Sequence, residues 1–268
     1  MNSREIILAN LNHSKPCRCG MNFDNGRMDD ILICWPEGDE SLEDRQWTDG
    51  NQEFYHDEYG NVWVRMIGGC DKGKIYSPIL KDWSKIDELV MPDYENPARF
   101  VAMREKFSQD EEKFKVACIG GWIFDNARYI RKMEMYFMDM VMYPEKLDIL
   151  HKMLAKVFAA KINGVGATGA EAVLIYEDMG TQNGLLYSPE MFRRYFKNLY
   201  GELVEIAHGY EMKVLMHSCG MNWDILDDLI DVGIDCFQFD QPALYDMDML
   251  AGKFRQNKVA LWSPVDIL

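Results

Sequence analysis

Lys213-Val214-Leu215-Met216-His217-Ser218-Cys219-Gly220 is the stretch from which the fold can be read. Its apolar run, Val214 to Met216, has the composition of a strand buried on both faces, as in a parallel sheet. On a strand the side chains at i and i+2 share a side, so His217 and Cys219 point together at the carboxyl end. In parallel α/β sheets and barrels that end carries the active site. An imidazole beside a thiolate supplies two of the three protein ligands that a catalytic zinc needs.

Outward from this strand the chain alternates helix and strand. Upstream, strands are expected at Lys115 to Ile119, running into Gly120-Gly121-Trp122, and at Ala172 to Tyr176, running into Glu177-Asp178. Downstream they are expected at Asp235 to Phe239, ending in Asp240-Gln241-Pro242, and at Val259 to Trp262. Helices are expected at 97–109, 125–142, 144–162, 223–232 and 246–254. A long helix at 188–210 has Ser188 as its cap and Pro189 at its first position. A short amphipathic helix over 3–13, capped by Ser3, opens the chain, and residues 18–24 read as a first strand ending at Asp24. Residues 25–95 differ in texture and contain one hairpin, 53–56 with 62–66. They are expected to be an insertion or lid on a single barrel-type domain, residues 1–268. This makes about six strands where a closed (βα)8 barrel has eight. The chain stops just after a strand, so a barrel shortened at its C-terminus is expected.

Composition narrows the function. The 268 residues are 48% hydrophobic and carry a net charge of -15. That is enough apolar material for a large core, and with no Lys/Arg stripe it disfavours nucleic-acid binding. No apolar stretch reaches the length of a membrane helix. Seven cysteines, with no leader-like apolar segment at the start, point to free thiols in a cytoplasmic protein.

The expected strand ends collect polar residues: Asp24, Glu177-Asp178, His217 with Cys219, and Asp240-Gln241. On a barrel these ring one face. Cys236 lies four residues before Asp240, roughly 13 Å below the rim at about 3.3 Å per residue, and reads as a core thiol. Cys17 and Cys19 have ligand-like spacing but sit in a loop beside Pro16. His13, His56, His151 and His208 fall in helices or the hairpin. Gly120-Gly121 and Gly164-x-Gly166 lack a phosphate-loop pattern, and no nucleophile elbow is present.

Several segments together resemble the uroporphyrinogen decarboxylase superfamily, in its methyltransferase-like branch. They are Asp57-Glu58-Tyr59-Gly60-Asn61-Val62-Trp63, Glu177-Asp178-Met179-Gly180-Thr181, Leu186-Tyr187-Ser188-Pro189-Glu190-Met191-Phe192, His217-Ser218-Cys219-Gly220, Phe239-Asp240-Gln241-Pro242 and Pro264-Val265-Asp266. The opening Ser3-Arg4-Glu5 to Leu11-Asn12-His13 adds to the match. The resemblance implies a (βα)8 barrel and a zinc-dependent methyltransferase. Such an enzyme moves methyl between a small-molecule donor or thiol acceptor and a corrinoid cofactor or corrinoid protein. It implies His217 and Cys219 as metal ligands and Asp240, Glu177 and Asp178 as catalytic-site residues, with Glu177 and Asp178 lining the substrate pocket. Asp240 would orient His217 or act as a weak ligand, and Gln241, Trp122 and Asp24 would contact the cofactor. Partners would be the small molecule, a corrinoid protein and, through the barrel edge at 259–268, further copies of the chain.

Two departures stand beside the resemblance. The branch's third zinc ligand, a Cys some 75–80 residues past the H-x-C, has no counterpart before Leu268, and Gln241 stands where some relatives have Glu. Two other readings follow from these residues. One is a tetrapyrrole decarboxylase without metal, which expects an arginine-rich segment where this chain has the single Arg27. The other is a non-catalytic shortened barrel that docks a corrinoid protein or sister subunit.

Overall fold

The computed structural model describes residues 1–23, 28–38, 45–69 and 72–264. In chain order its elements are α1 (Ser3–Leu11), β1 (Ile31–Cys34), β2 (Gln46–Asp49), β3 (Gln52–His56), β4 (Val62–Met66), β5 (Lys74–Ser77) and α2 (Val101–Ser108). There follow β6 (Phe114–Gly121), α3 (Ile123–Arg131), α4 (Met133–Met142), α5 (Pro144–Gly166), β7 (Ala172–Tyr176), β8 (Gly180–Thr181) and β9 (Gly184–Leu185). The chain closes with α6 (Pro189–Tyr195), α7 (Lys197–Gly209), β10 (Lys213–Ser218), α8 (Leu226–Asp231), β11 (Cys236–Phe239), α9 (Met247–Asn257) and β12 (Ala260–Leu261). Among the described residues, no helix is long and apolar enough to cross a membrane.

These elements form two compact units. The first comprises Met1–Pro36, Glu95–Trp122 and Phe158–Leu268. It holds a six-stranded sheet in the order β1-β6-β7-β10-β11-β12, parallel at every pairing. The strand–helix alternation and the parallel sheet are those of a (βα)8-type barrel, with six strands present among the described residues. The inner strands β6, β7, β10 and β11 are largely apolar runs because they are covered on both faces. One face carries Val116, Cys118, Ala172, Leu174, Leu215 and Cys236, and Ile7 and Leu11 of α1 pack onto it. The opposite face carries Ala117, Val173, Ile175, Val214, Met216, Phe237 and Phe239, all buried.

Three local expectations are corrected. The first strand is Ile31–Cys34, not 18–24. Asp30 explains the difference. It is fully buried and accepts from Arg18 at 2.6 and 2.8 Å, from Ser3 Oγ at 2.6 Å and from the Met21 amide at 2.8 Å. Residues 18–21 are thereby tied as a loop around the entry to β1. The cap of α1 is Asn2, not Ser3. Asn2 Oδ1 accepts from the Glu5 amide and the Glu5 carboxylate accepts from the Asn2 amide, a reciprocal capping box. Finally, the helices expected at 125–142 and 188–210 are each two. They break at Lys132 (φ 66°) and at Phe196 (φ -122°, ψ -39°), which lie outside helical geometry.

The second unit comprises Glu37–Tyr94 and Ile123–Val157. It is built on an antiparallel sheet, β2-β3-β4-β5, which contains the expected hairpin. Its buried side chains include Phe54, Trp63, Leu80, Phe124, Ile130, Tyr136 and Leu150. Arg131 forms a buried ion pair with Asp139 at 2.7 Å and also donates to the Leu80 carbonyl, joining the loop after β5 to α3 and α4.

Candidate metal centre

The pleat sets the site. In the pairing of β10 with β7, His217 lies opposite Tyr176, and in the pairing with β11 it lies opposite Gln238. These side chains, like Leu174, Leu215 and Cys236 below them, lie on the α1-covered face. His217 and Cys219 converge as the spacing requires, with Nε2 3.6 Å from Sγ. Asp178, two residues beyond Tyr176, joins them with Oδ1 3.7 Å from the same Nε2. All three donor atoms lie within 4.8 Å of one another.

The loops that present these groups are wrapped by hydrogen bonds. The Cys219 amide donates to Asp178 Oδ1 at 2.9 Å. The Gly220 amide donates to Gln241 Oε1 at 3.1 Å, and the Tyr245 hydroxyl donates to the Gly220 carbonyl at 2.8 Å. Gly220 (φ 75°) must be glycine, because a Cβ there would sit 2.3 Å from the Gly180 carbonyl carbon. That close approach lets the loop after β10 lie against β8, where the Met221 amide donates to the Thr181 carbonyl at 2.7 Å.

The imidazole is oriented from behind. His217 Nδ1 faces Gln238 Oε1, and Gln238 Nε2 donates to Asp240 Oδ1 at 3.3 Å. A carboxylate can only accept, so the Asp240 contact fixes which end of the amide is nitrogen. The amide oxygen then requires a proton on His217 Nδ1, which leaves the Nε2 lone pair directed to the side of Cys219 and Asp178. Asp240 itself stands 3.7 Å from His217 Nδ1 and 3.9 Å from Cys219 Sγ.

Aromatic side chains bound the site. The Tyr176 ring lies 4.8 Å from the His217 ring, and Trp35, at the end of β1, stacks on Tyr176 at 6.1 Å. Burial and the Cys118 thiol push the Tyr176 hydroxyl above its ordinary range, so it keeps its proton at neutral pH.

The sequence-predicted residues divide into four groups. His217, Cys219, Asp178 and Asp240 are brought together. Gln241 is buried and supports the Gly220 loop. Glu177 and Trp122 are not brought to this cluster. Glu177 is fully buried and accepts from the Tyr200 hydroxyl of α7. Trp122 is packed against Phe158 and Tyr200. Asp24 lies outside the described residues. Gln238 and the Trp35–Tyr176 pair are additions that the sequence reading missed.

The donor set fits zinc. Nitrogen, sulfur and carboxylate oxygen are the ligand types zinc takes. Bonds of about 2.0–2.3 Å in tetrahedral geometry place donors about 3.3–3.8 Å apart, which the two separations from Nε2 match. The amide behind Nδ1 is the outer partner that metal-bound imidazoles carry.

Comparison with known proteins agrees with this architecture. The family model described as uroporphyrinogen decarboxylase matches residues 66–261. Among solved structures, a methyltransferase from Methanosarcina mazei is similar in fold, with a TM-score of 0.51 and 15% sequence identity. The similarity covers 62% of this chain and 47% of that one, so the chain spans about half the methyltransferase's length. No curated protein matches.

Proposed function

The chain belongs to the uroporphyrinogen decarboxylase family, and from that premise we propose that its site is a zinc centre for methyl transfer. The methyl group would move between a small thiol or methylated small molecule and a corrinoid, free or carried by a corrinoid protein. The observation that carries this reading is the convergence of Asp178, His217 and Cys219 at one strand-end cluster.

His217 through Nε2, Cys219 through Sγ and Asp178 through Oδ1 would hold the metal. Bound there, zinc supplies a Lewis acid that keeps a thiol as thiolate or polarises the oxygen leaving a methyl donor. The rest is the work of the chain. Gln238 holds the proton on His217 Nδ1, and Asp240 holds Gln238. Asp240, 3.9 Å from Cys219 Sγ, is placed to take a proton released at the site. Trp35 and Tyr176 offer an apolar wall on which a methyl-bearing group can lie with water displaced. Tyr176 remains a neutral donor there.

We favour this reading over a tetrapyrrole decarboxylase because, among the described residues, the side chains brought together include two carboxylates, Asp178 and Asp240, and no Lys or Arg, so a polycarboxylate substrate would meet like charge there.

The test is methyl transfer from methylcobalamin to a simple thiol such as 2-mercaptoethanol. The methyl carbon forms a bond to sulfur, the cobalt–carbon pair stays on cobalt, and cob(I)alamin is read by its absorbance. Zinc-dependent turnover that is lost in Cys219→Ser supports the reading. Turnover independent of zinc, or retained in the variant, overturns it.

A further inference from the structure

The second unit contains a cleft of about 720 Å3, whose described lining residues all belong to that unit and not to the His217 site. That volume suits a small organic ligand. The chain's net charge is -15, yet among the described residues this cleft is lined by Lys72, Lys74, Arg128 and Lys132 and by the acid Glu134. Arg128 is paired with Asp125 at 2.5 Å and Lys132 lies 3.8 Å from Glu134, and among the described lining residues the cations outnumber the acids.

The cations are interleaved with flat rings. The Lys72 ammonium sits 4.1 Å from the Trp63 ring centre and 4.6 Å from that of Tyr129, held between two aromatic faces. Arg128 lies 5.0 Å over Tyr129 as well. Lys74 and Tyr76 are two apart on β5, so they share a face, and both are exposed. The arrangement offers charge for an anionic group beside a ring surface.

A second, independent observation lies at the edge of the cleft. Lys132 has φ 66° and ψ 136°, a backbone conformation that side-chain-bearing residues rarely adopt. It is also the N-cap of α4 and makes no side-chain cap hydrogen bond. Stability alone favours Gly there for the conformation, or Asn or Asp for the cap. A lysine in this place costs the fold and puts an ammonium on the cleft.

We propose that this cleft is a binding site for a small organic anion that carries a flat ring. Lys74, Lys132 and Arg128 would take its phosphate or carboxylate, and Tyr76 and Tyr129 would take the ring.

The test is calorimetric titration of the full chain, at low salt, with adenosine monophosphate, benzoate and inorganic phosphate. Either ringed anion is expected to bind with a Kd below about 1 mM, and about tenfold more tightly than inorganic phosphate. Comparison of the two ringed probes tells phosphate from carboxylate. Lys74→Glu is expected to weaken binding about tenfold. Lys132→Gly is expected to raise the Tm while weakening binding about fivefold, which separates lost binding from lost folding. Ringed anions that bind no better than inorganic phosphate overturn the proposal. So does binding that is unchanged in both variants while the Tm of Lys132→Gly rises.

Discussion

His217 on β10 lies in register with Gln238 on β11, and the amide oxygen of Gln238 meets the imidazole Nδ1. Because Asp240 accepts from the other end of that amide, a three-residue relay holds one imidazole tautomer. The direction of the Nε2 lone pair is therefore set by a neutral side chain on the neighbouring strand.

Removing that support should weaken metal binding without abolishing it. Gln238→Leu is expected to raise the apparent zinc Kd about 10–100-fold, as loss of an outer partner does elsewhere. Gln238→Glu keeps the acceptor and should recover most of the affinity. Competition with a chromophoric chelator reads both. Unchanged affinity in Gln238→Leu would remove the relay from the account.

Gly220→Ala tests the loop that presents Cys219. The new methyl would stand 2.3 Å from the Gly180 carbonyl carbon, and φ is 75°. Backbone cannot yield there cheaply, so a loss of about 2 kcal/mol or more is expected, together with loss of the site. Urea denaturation measures the first and zinc content the second.

Much of this architecture was legible in residues 172–262. The strand over Ala172–Tyr176 and the convergence of His217 with Cys219 follow from apolar runs and the two-residue pleat. The same pleat could have corrected the reading of Glu177. It falls on the face of Val173 and Ile175, toward the helices, while Asp178 falls with Leu174 and Tyr176. Gln238 was harder to find. It has no charge, and its role depends on the register of β10 with β11, which no local pattern shows. β1 was missed because Ile31–Cys34 is only four residues long, between Asp29-Asp30 and Trp35-Pro36. Its position is fixed by long-range partners of Asp30, Ser3 and Arg18, that sequence spacing does not pair.

The Asp30 network gives the fold an acid-sensitive component. Hydrogen bonding by Arg18, above all, holds the Asp30 carboxyl down to about 2, from an ordinary 3.8. A carboxylate depressed in the folded state stabilises above its unfolded value and loses that contribution as pH falls through the folded one. The contribution, about 2 kcal/mol at neutral pH, is therefore lost between about pH 4 and pH 2. Asp30→Asn should lower stability at pH 7 and flatten its decline over that window, as followed by urea denaturation at stepped pH.

The thiols should separate by reactivity. Burial pushes Cys118 and Cys236 up to about 12, so both should resist iodoacetamide at pH 8 in the folded protein. Cys17 and Cys19 are exposed and should label at once. Cys219 should label in metal-free protein and be protected by added zinc. Peptide mapping by mass spectrometry reads all five positions.

The central claim is that Asp178, His217 and Cys219 hold one metal ion. It is tested most directly by elemental analysis of the purified protein beside Cys219→Ala and Asp178→Asn, each confirmed as folded by its Tm. The account predicts close to one zinc per chain in the parent, almost none in Cys219→Ala and a reduced amount in Asp178→Asn. A parent that stays metal-free after equilibration with zinc, or a Cys219→Ala variant that retains the full amount, would contradict it.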